Sequence, residues 1–491
     1  MSHDELVFNG INALTGAYGV PPTTADRLAD LISGEEADDA FFKELEWRSG
    51  RDPDHLGLTE GNDPECLDQA GWGMIVPSSA PPALLDALRP LLDHRREQAG
   101  ERFALYAGDD GFQVGHDDKS SFLSRYGVGP GPVDPTKVPY YLMLVGDPTT
   151  LSWRFQTQLG VPFAVGRLDL GDDLDAYRHY AETVVRAETA AAGRAPRAAC
   201  FAVANPDDRA TQLSAAHLVA PVERHLAERH ARDGIAIEHW SGPRATKAEL
   251  AGLLGGDRTP SFLFSASHGL EMPAGVPDQV RRQGALLCRD WPGPEAWQGE
   301  LTTDQFFSAA DLSADADLHG LVGFFFACYG AGTPRFDQFA KIAGRARRAE
   351  IAPEPFVASL PKALLGHAGG GAQAVVGHVD RAWGCSFLWP GVGAQTAVFE
   401  STFDRLLTGQ PVGLAVEHFS QRYAELATQL ADVLEDLDFG QDVDPQQVAR
   451  LWTSHNDARS YVVLGDPAVR VPGTVRRATV EPRTLSGTKT R

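Results

Sequence analysis

Cysteine is scarce in this sequence, and the few present are scattered. The 491 residues hold 5, at positions 66, 200, 288, 328 and 385. No two form a CxxC and their number is odd, which argues against a zinc ribbon and a disulfide framework. Long apolar runs are also missing: none approaches the roughly 18–20 residues that cross a bilayer. Positive charge is in deficit. Lys plus Arg number 44 against 66 Asp plus Glu, a formal net charge of −22. Phosphate backbones repel such a chain, so neither nucleic acid nor a membrane is an expected partner. The opening stretch, MSHDELVFNG, has no basic n-region and no apolar h-region, so the expected location is the cytoplasm. No repeat occurs at a solenoid period.

What is present is an ordinary globular composition, 43% hydrophobic and 22% charged. At roughly 100–200 residues per domain, the length suggests two to four domains or subdomains. Residues 1–135 are irregular and rich in Gly, Pro and Asp, with short strands expected at 73–76 and 103–107 and a helix at 82–96. From about 138 the pattern sharpens. Apolar runs at 140–145, 162–165, 198–204, 235–240, 261–265, 321–327 and 373–378 alternate with helical stretches at 172–191, 212–231 and 360–367. Thr246-x-x-Glu249 is a capping box that opens another helix.

Such alternation predicts an α/β fold, a parallel sheet with helices on both faces. Three segments are expected: an N-terminal α/β subdomain over 1–185, a catalytic subdomain over 186–472, and a basic tail at 473–491 without fixed structure.

In open parallel sheets, sites form at the carboxyl ends of the strands. His268 and Cys328 each sit just past the end of an apolar strand, in a turn of small residues. A free thiol has a pKa near 8.5, and a neighbouring imidazole makes the sulfur competent and can protonate a leaving amine. Singly, each residue has a plain reading: Cys328 as a core cysteine after the run Gly323–Ala327, and His268 as a satisfied or surface histidine. As a pair they suggest nucleophile and base.

At these residues the sequence resembles the clan CD cysteine peptidases, a group that includes caspases, separase and gingipains. SASHG at 265–269 is similar to their strand–His–Gly element, and FFACYG at 325–330 to their strand–Ala–Cys element. The gingipain-like group is the nearer likeness. YYLMLVGD at 140–147, VGR at 165–167, GHVDRAWGCS at 377–386 and YVVLGDP at 461–467 resemble its segments in the same order.

The resemblance implies a caspase-like fold and an endopeptidase that passes through a thioester acyl-enzyme. It implies Cys328 as nucleophile, His268 as general acid/base, and the N–H groups of Gly269 and Cys328 as oxyanion hole. No metal or organic cofactor is needed for that chemistry. In gingipains an acid after an earlier strand supports the histidine. The matching strand here ends at Asn205, which can orient an imidazole but does not stabilise imidazolium as a carboxylate does.

The same loop would supply the pocket for a basic P1 side chain, here from Asp207 and Asp208, with Trp383 as a wall. Arg is then preferred over Lys. Arg381, beside Trp383, leaves open a pocket for an Asp at P1, and the aspartates also read as an ordinary turn and helix N-cap. The basic run KIAGRARR at 341–348 corresponds to the caspase activation linker and suggests processing after Arg345, Arg347 or Arg348. A solvated basic helix face is the plainer reading.

The expected partners are protein substrates and an upstream activating protein or protease, in bacterial defence or programmed cell death. A catalytically silent caspase-like scaffold is the alternative from another class. Paired aspartates at 109–110, 117–118 and 172–173 lack EF-hand spacing and read as solvated turns. His225 and His230 are five apart and do not share a helix face as ligands.

Overall fold

The computed structural model describes residues 5–6, 10–18, 23–24, 57–190, 196–341, 348–389 and 391–474. Its core is a ten-stranded sheet. In chain order the strands are β1 (Trp72–Ile75), β2 (Phe103–Tyr106), β3 (Tyr141–Val145), β4 (Ala164–Leu168), β5 (Arg197–Ala202), β6 (Ala236–Ser241), β7 (Phe262–Ala266), β8 (Val322–Phe326), β9 (Ala374–His378) and β10 (Tyr461–Gly465). Across the sheet they run β2-β1-β3-β4-β10-β9-β8-β7-β5-β6. Strands β3, β7, β8 and β9 are buried along their whole length, as their predominantly apolar sequences require when helices cover both faces.

The sheet is not wholly parallel. β10 runs parallel to β4 but antiparallel to β9, so two parallel halves meet at one antiparallel seam. The cause lies in the connection from β9. The helices Glu417–Asp438 and Pro445–Arg459 pack on each other and return the chain to the end at which β9 finished. The single sheet therefore runs across the expected boundary at 185/186, and the last strand, β10, joins the half built from β1–β4.

Local chemistry fixes this join. β4 extends through Gly166, Arg167 and Leu168, three residues further than the sequence suggested. Gly166 is needed there, because a Cβ would meet the Gly465 carbonyl oxygen at 2.2 Å. Beyond β10, Asp466 accepts from Trp72 Nε1 at 2.9 Å and from Arg95 Nε at 2.8 Å, and Arg95 also pairs with Glu188 at 2.7 Å. These groups clamp the C-terminal strand to helices Arg89–Ala99 and Leu174–Thr189.

A second, four-stranded sheet lies past the end of β7. Its order is Phe306–Phe307, Leu286–Leu287, Gly269–Glu271, Gly10–Asn12. The strand Gly10–Asn12 thus pairs parallel with the segment that immediately follows His268.

His225 and His230 both bond Asp404, at 2.8 and 2.9 Å, and tie helix Ala220–His230 to helix Ala397–Leu407. Among the described residues no helix is long and apolar enough to cross a membrane. Arg345 and Arg347 lie outside the described residues, as does the tail beyond 474. Arg348 opens the exposed strand Arg348–Glu350, which pairs antiparallel with Phe336–Lys341, so the basic run ends in a strand hairpin and not a helix.

Candidate active site

β7 and β8 are parallel neighbours in register, Ala266 level with Phe326. Two residues further on, His268 and Cys328 therefore leave the same edge of the sheet side by side. Adjacent strands lie about 4.8 Å apart, and the turns close in further. A Cβ on Gly269 would meet the Cys328 carbonyl oxygen at 1.8 Å, so only glycine lets the two turns pack.

His268 is fully buried, and its Nε2 sits 2.8 Å from Asp208 Oδ2. This corrects two expectations. Asn205 does not orient the histidine: its amide donates to the carbonyls of Cys288 and Trp291, at 3.2 and 2.6 Å, and braces that loop. Asp208, expected to line a P1 pocket, is instead held against His268, fully buried and with both oxygens engaged. Oδ2 accepts from His268 and from Thr211 Oγ1 at 2.5 Å, and Oδ1 accepts from Tyr18 Oη at 2.5 Å. Asp207, its neighbour, is exposed with φ 54°.

Asp208 stands at the N-cap of helix Arg209–Ser214 yet makes no side-chain cap. An N-cap aspartate ordinarily bonds the first turn; this one is spent on the imidazole. Burial would raise its carboxyl, but the charge of His268 and the hydrogen bonds from His268, Thr211 and Tyr18 outweigh that and hold it below the usual range. With Nε2–H directed at a carboxylate, His268 is left with Nδ1 as its acceptor, and Nδ1 is buried with no hydrogen-bond partner among the described residues.

Cys328 is also fully buried. The Ala382 N–H donates to its Sγ at 3.2 Å. Burial pushes the thiol well up, against the smaller effect of that N–H. A thiol so placed would act as a nucleophile only if a base took its proton. The Cys328 N–H makes no hydrogen bond among the described residues, which leaves it available to an oxyanion.

The loop after β9 is held in turn by Asp457. This buried side chain accepts from the Trp383 N–H at 2.9 Å and from Ser386 Oγ at 2.5 Å. Trp383 is buried with its ring centre 5.1 Å from that of Phe339. Among the described residues, three non-glycine positions have positive φ: Asp207, Tyr329 and Asp380. Each adjoins a residue of the site (Asp208, Cys328 and Arg381), and strained backbone gathers where chemistry is done.

Tyr18, Thr211, Asp457 and Ala382 were not singled out in the sequence. Tyr18 had no signal to find it, because its contact to Asp208 spans 190 positions. Its ring also meets His268 edge-on, centres 5.8 Å apart.

No protein-family model matches the chain, and no curated protein does. Solved structures similar in fold include one described as a protease, at 14% identity and TM-score 0.48 over 82% of this chain and 78% of that one. Another is the Arg-specific cysteine proteinase gingipain R, at 12% identity and TM-score 0.44 over 85% and 80%. A third is the Saccharomyces cerevisiae separase–securin complex, at 9% identity and TM-score 0.30, where the match covers 67% of this chain and 16% of that one. All three TM-scores lie below 0.5, and the reading of the site rests on its own geometry.

Proposed function

We propose that the chain is a caspase-like cysteine endopeptidase that cleaves proteins after a basic residue, Arg over Lys. The observation that carries this is the buried Asp208–His268 pair beside Cys328, with His268 Nδ1 left without a partner. A general base requires a ring nitrogen free to take a proton, and among the described residues His268 Nδ1 stands beside the candidate nucleophile with no partner.

In the reaction His268 takes the thiol proton as Sγ attacks the scissile carbonyl. The N–H groups of Cys328 and Gly269 bond the developing oxyanion. The imidazolium, stabilised by Asp208, returns the proton to the leaving amine and leaves a thioester. Water, deprotonated by the same imidazole, hydrolyses that ester and restores the thiol. None of these steps calls on a metal or organic cofactor.

Full burial of Cys328 and His268 supports a reading in which access to the thiol is controlled, by an upstream protein or by cleavage within 341–350. All five cysteines are free thiols, in keeping with a reducing cytoplasm. A switched intracellular cut of this kind suits defence or programmed death.

The test is hydrolysis of fluorogenic peptides with Arg, Lys or Asp at P1 by the wild type and Cys328→Ala, with both samples run on a denaturing gel. Cleavage after Arg that disappears in the variant is expected. No cleavage by the wild type, together with no labelling of Cys328 by a peptidyl electrophile after limited proteolysis, would sink the peptidase reading.

A further inference from the structure

Residues 10–18 are brought to His268 by their own turn chemistry. The strand Gly10–Asn12 lies parallel to Gly269–Glu271, with Gly10 level with Gly269. Asn12 then reverses the chain. Its Oδ1 accepts from the N–H groups of Leu14 and Thr15, at 2.9 and 3.2 Å, as asparagine does in turns. Gly16 supplies the left-handed step, φ 69°, at a place where a Cβ would meet the Gly299 carbonyl oxygen at 2.9 Å. The Asn12 N–H donates to the Ala17 carbonyl at 2.9 Å, so Tyr18 returns level with Ile11. Ile11 is fully buried with Leu270 and Trp291, and the Leu301 N–H donates to the Ala13 carbonyl at 2.8 Å. The segment is thus built into the second sheet and delivers Tyr18 to a fixed place.

Two aromatic rings meet His268 edge-on there, Tyr18 with centres 5.8 Å apart and the buried Trp291 at 6.2 Å. Asp208 at Nε2 sets which nitrogen carries the proton. Yet Asp208 has a competing place to go. At the N-cap of helix Arg209–Ser214 a carboxylate ordinarily accepts from the first turn, and this one does not. Its terminal torsion is soft, so whatever holds Oδ1 decides where Oδ2 points. Tyr18 Oη holds it, at 2.5 Å. Burial and the charge of Asp208 push the Tyr18 phenol well above its usual range, so it stays protonated and donates. A neutral donor suits the place. A cation on Oδ1 would offset the negative charge that an imidazolium at His268 needs, whereas a phenol fixes the oxygen and leaves the charge.

We propose that Tyr18 is a positioning residue for the reaction: by holding Asp208 Oδ1 it keeps the carboxylate off the helix and on His268. Residues 10–18 are then a working part of the site. This rests on the peptidase reading and deepens it.

The test reads the imidazole directly. Full-length protein carrying Cys328→Ala is grown on isotope-labelled histidine and observed by nitrogen NMR, and His268→Gln identifies the His268 signals. His268 is expected as one tautomer, Nε2 protonated and Nδ1 bare. Adding Tyr18→Phe, which keeps the ring, should move both nitrogens toward a tautomer average while the other histidine signals stay in place. In protein that retains Cys328, Tyr18→Phe should lower kcat on the P1-Arg peptide about 100-fold with KM unchanged. Added to Asp208→Asn, it should cost less than about twofold more, because its route is already cut. Unmoved His268 signals, histidine signals that all shift together, or an equal loss of kcat in both backgrounds overturns the assignment. A wild type that cleaves nothing removes the peptidase reading, and the tautomer still decides whether Tyr18 sets the imidazole.

Discussion

The Asp208 carboxylate stands 2.8 Å from His268 Nε2, with neither side chain exposed to solvent. Replacing it with asparagine presents an amide that can donate to Nε2 and so favours the tautomer with the proton on Nδ1. That imidazole cannot take the thiol proton. Asp208→Asn should lower kcat by about 10⁴-fold, measured on the P1-Arg peptide.

The same carboxyl sets a pH dependence. It titrates below the ordinary value of about 3.9, so on acidification the unfolded chain takes up the proton first. Its contribution to stability is fully present above the unfolded value and is lost as pH falls through the folded one. Thermal melts from pH 5 down to 2 should show a steeper acid limb in the wild type than in Asp208→Asn.

Tyr18→Phe keeps the edge-on ring against His268 but removes the donor to Asp208 Oδ1. A hydrogen bond to a charged group contributes about 1.5–3 kcal/mol. We expect a loss of roughly that size in denaturant melts. Cys328 should also be alkylated faster by iodoacetamide, because Tyr18 helps tie the segment paired with the strand after His268 to Asp208. An unchanged alkylation rate would show that this segment does not guard the sulfur.

Gly269→Ala places a Cβ 1.8 Å from the Cys328 carbonyl oxygen. The contact is backbone against backbone, so no rotamer relieves it. The expected cost is about 3 kcal/mol or more, read as a fall in Tm, with activity lost. Wild-type stability in this variant would mean that the two turns do not pack as described.

Asp466→Ala strips the buried Arg95 guanidinium and the Trp72 indole of a partner. Breaking a buried pair typically costs about 3–5 kcal/mol. Glu188 remains on Arg95, so the lower end is expected, as a drop in the urea midpoint at unchanged m-value.

The apolar strands announce the sheet, and the carboxyl-edge rule brings His268 and Cys328 together from sequence alone. Those signals are local and repeat with a fixed period. The antiparallel entry of β10 was not legible, because YVVLG reads the same in either direction. The pairing of Asp208 with His268 was not legible either. Asn205, Asp207 and Asp208 lie within one short turn, and only the positive φ of Asp207 and the N-cap position of Asp208 decide which carboxylate turns inward. Tyr18 and Asp457 act across gaps in sequence that no pattern marks.

The placement of β10 also orders events in time. It is the last strand of the sheet in sequence and sits between β4 and β9. While a ribosome is still making the chain, those two strands are open edges and the halves are not joined. The His268–Cys328 edge can be translated, but it lacks the support of Asp457 and β10 until nearly all of the described chain has emerged. The edge that carries His268 and Cys328 is therefore complete only once β10 has closed the gap between the two halves of the sheet.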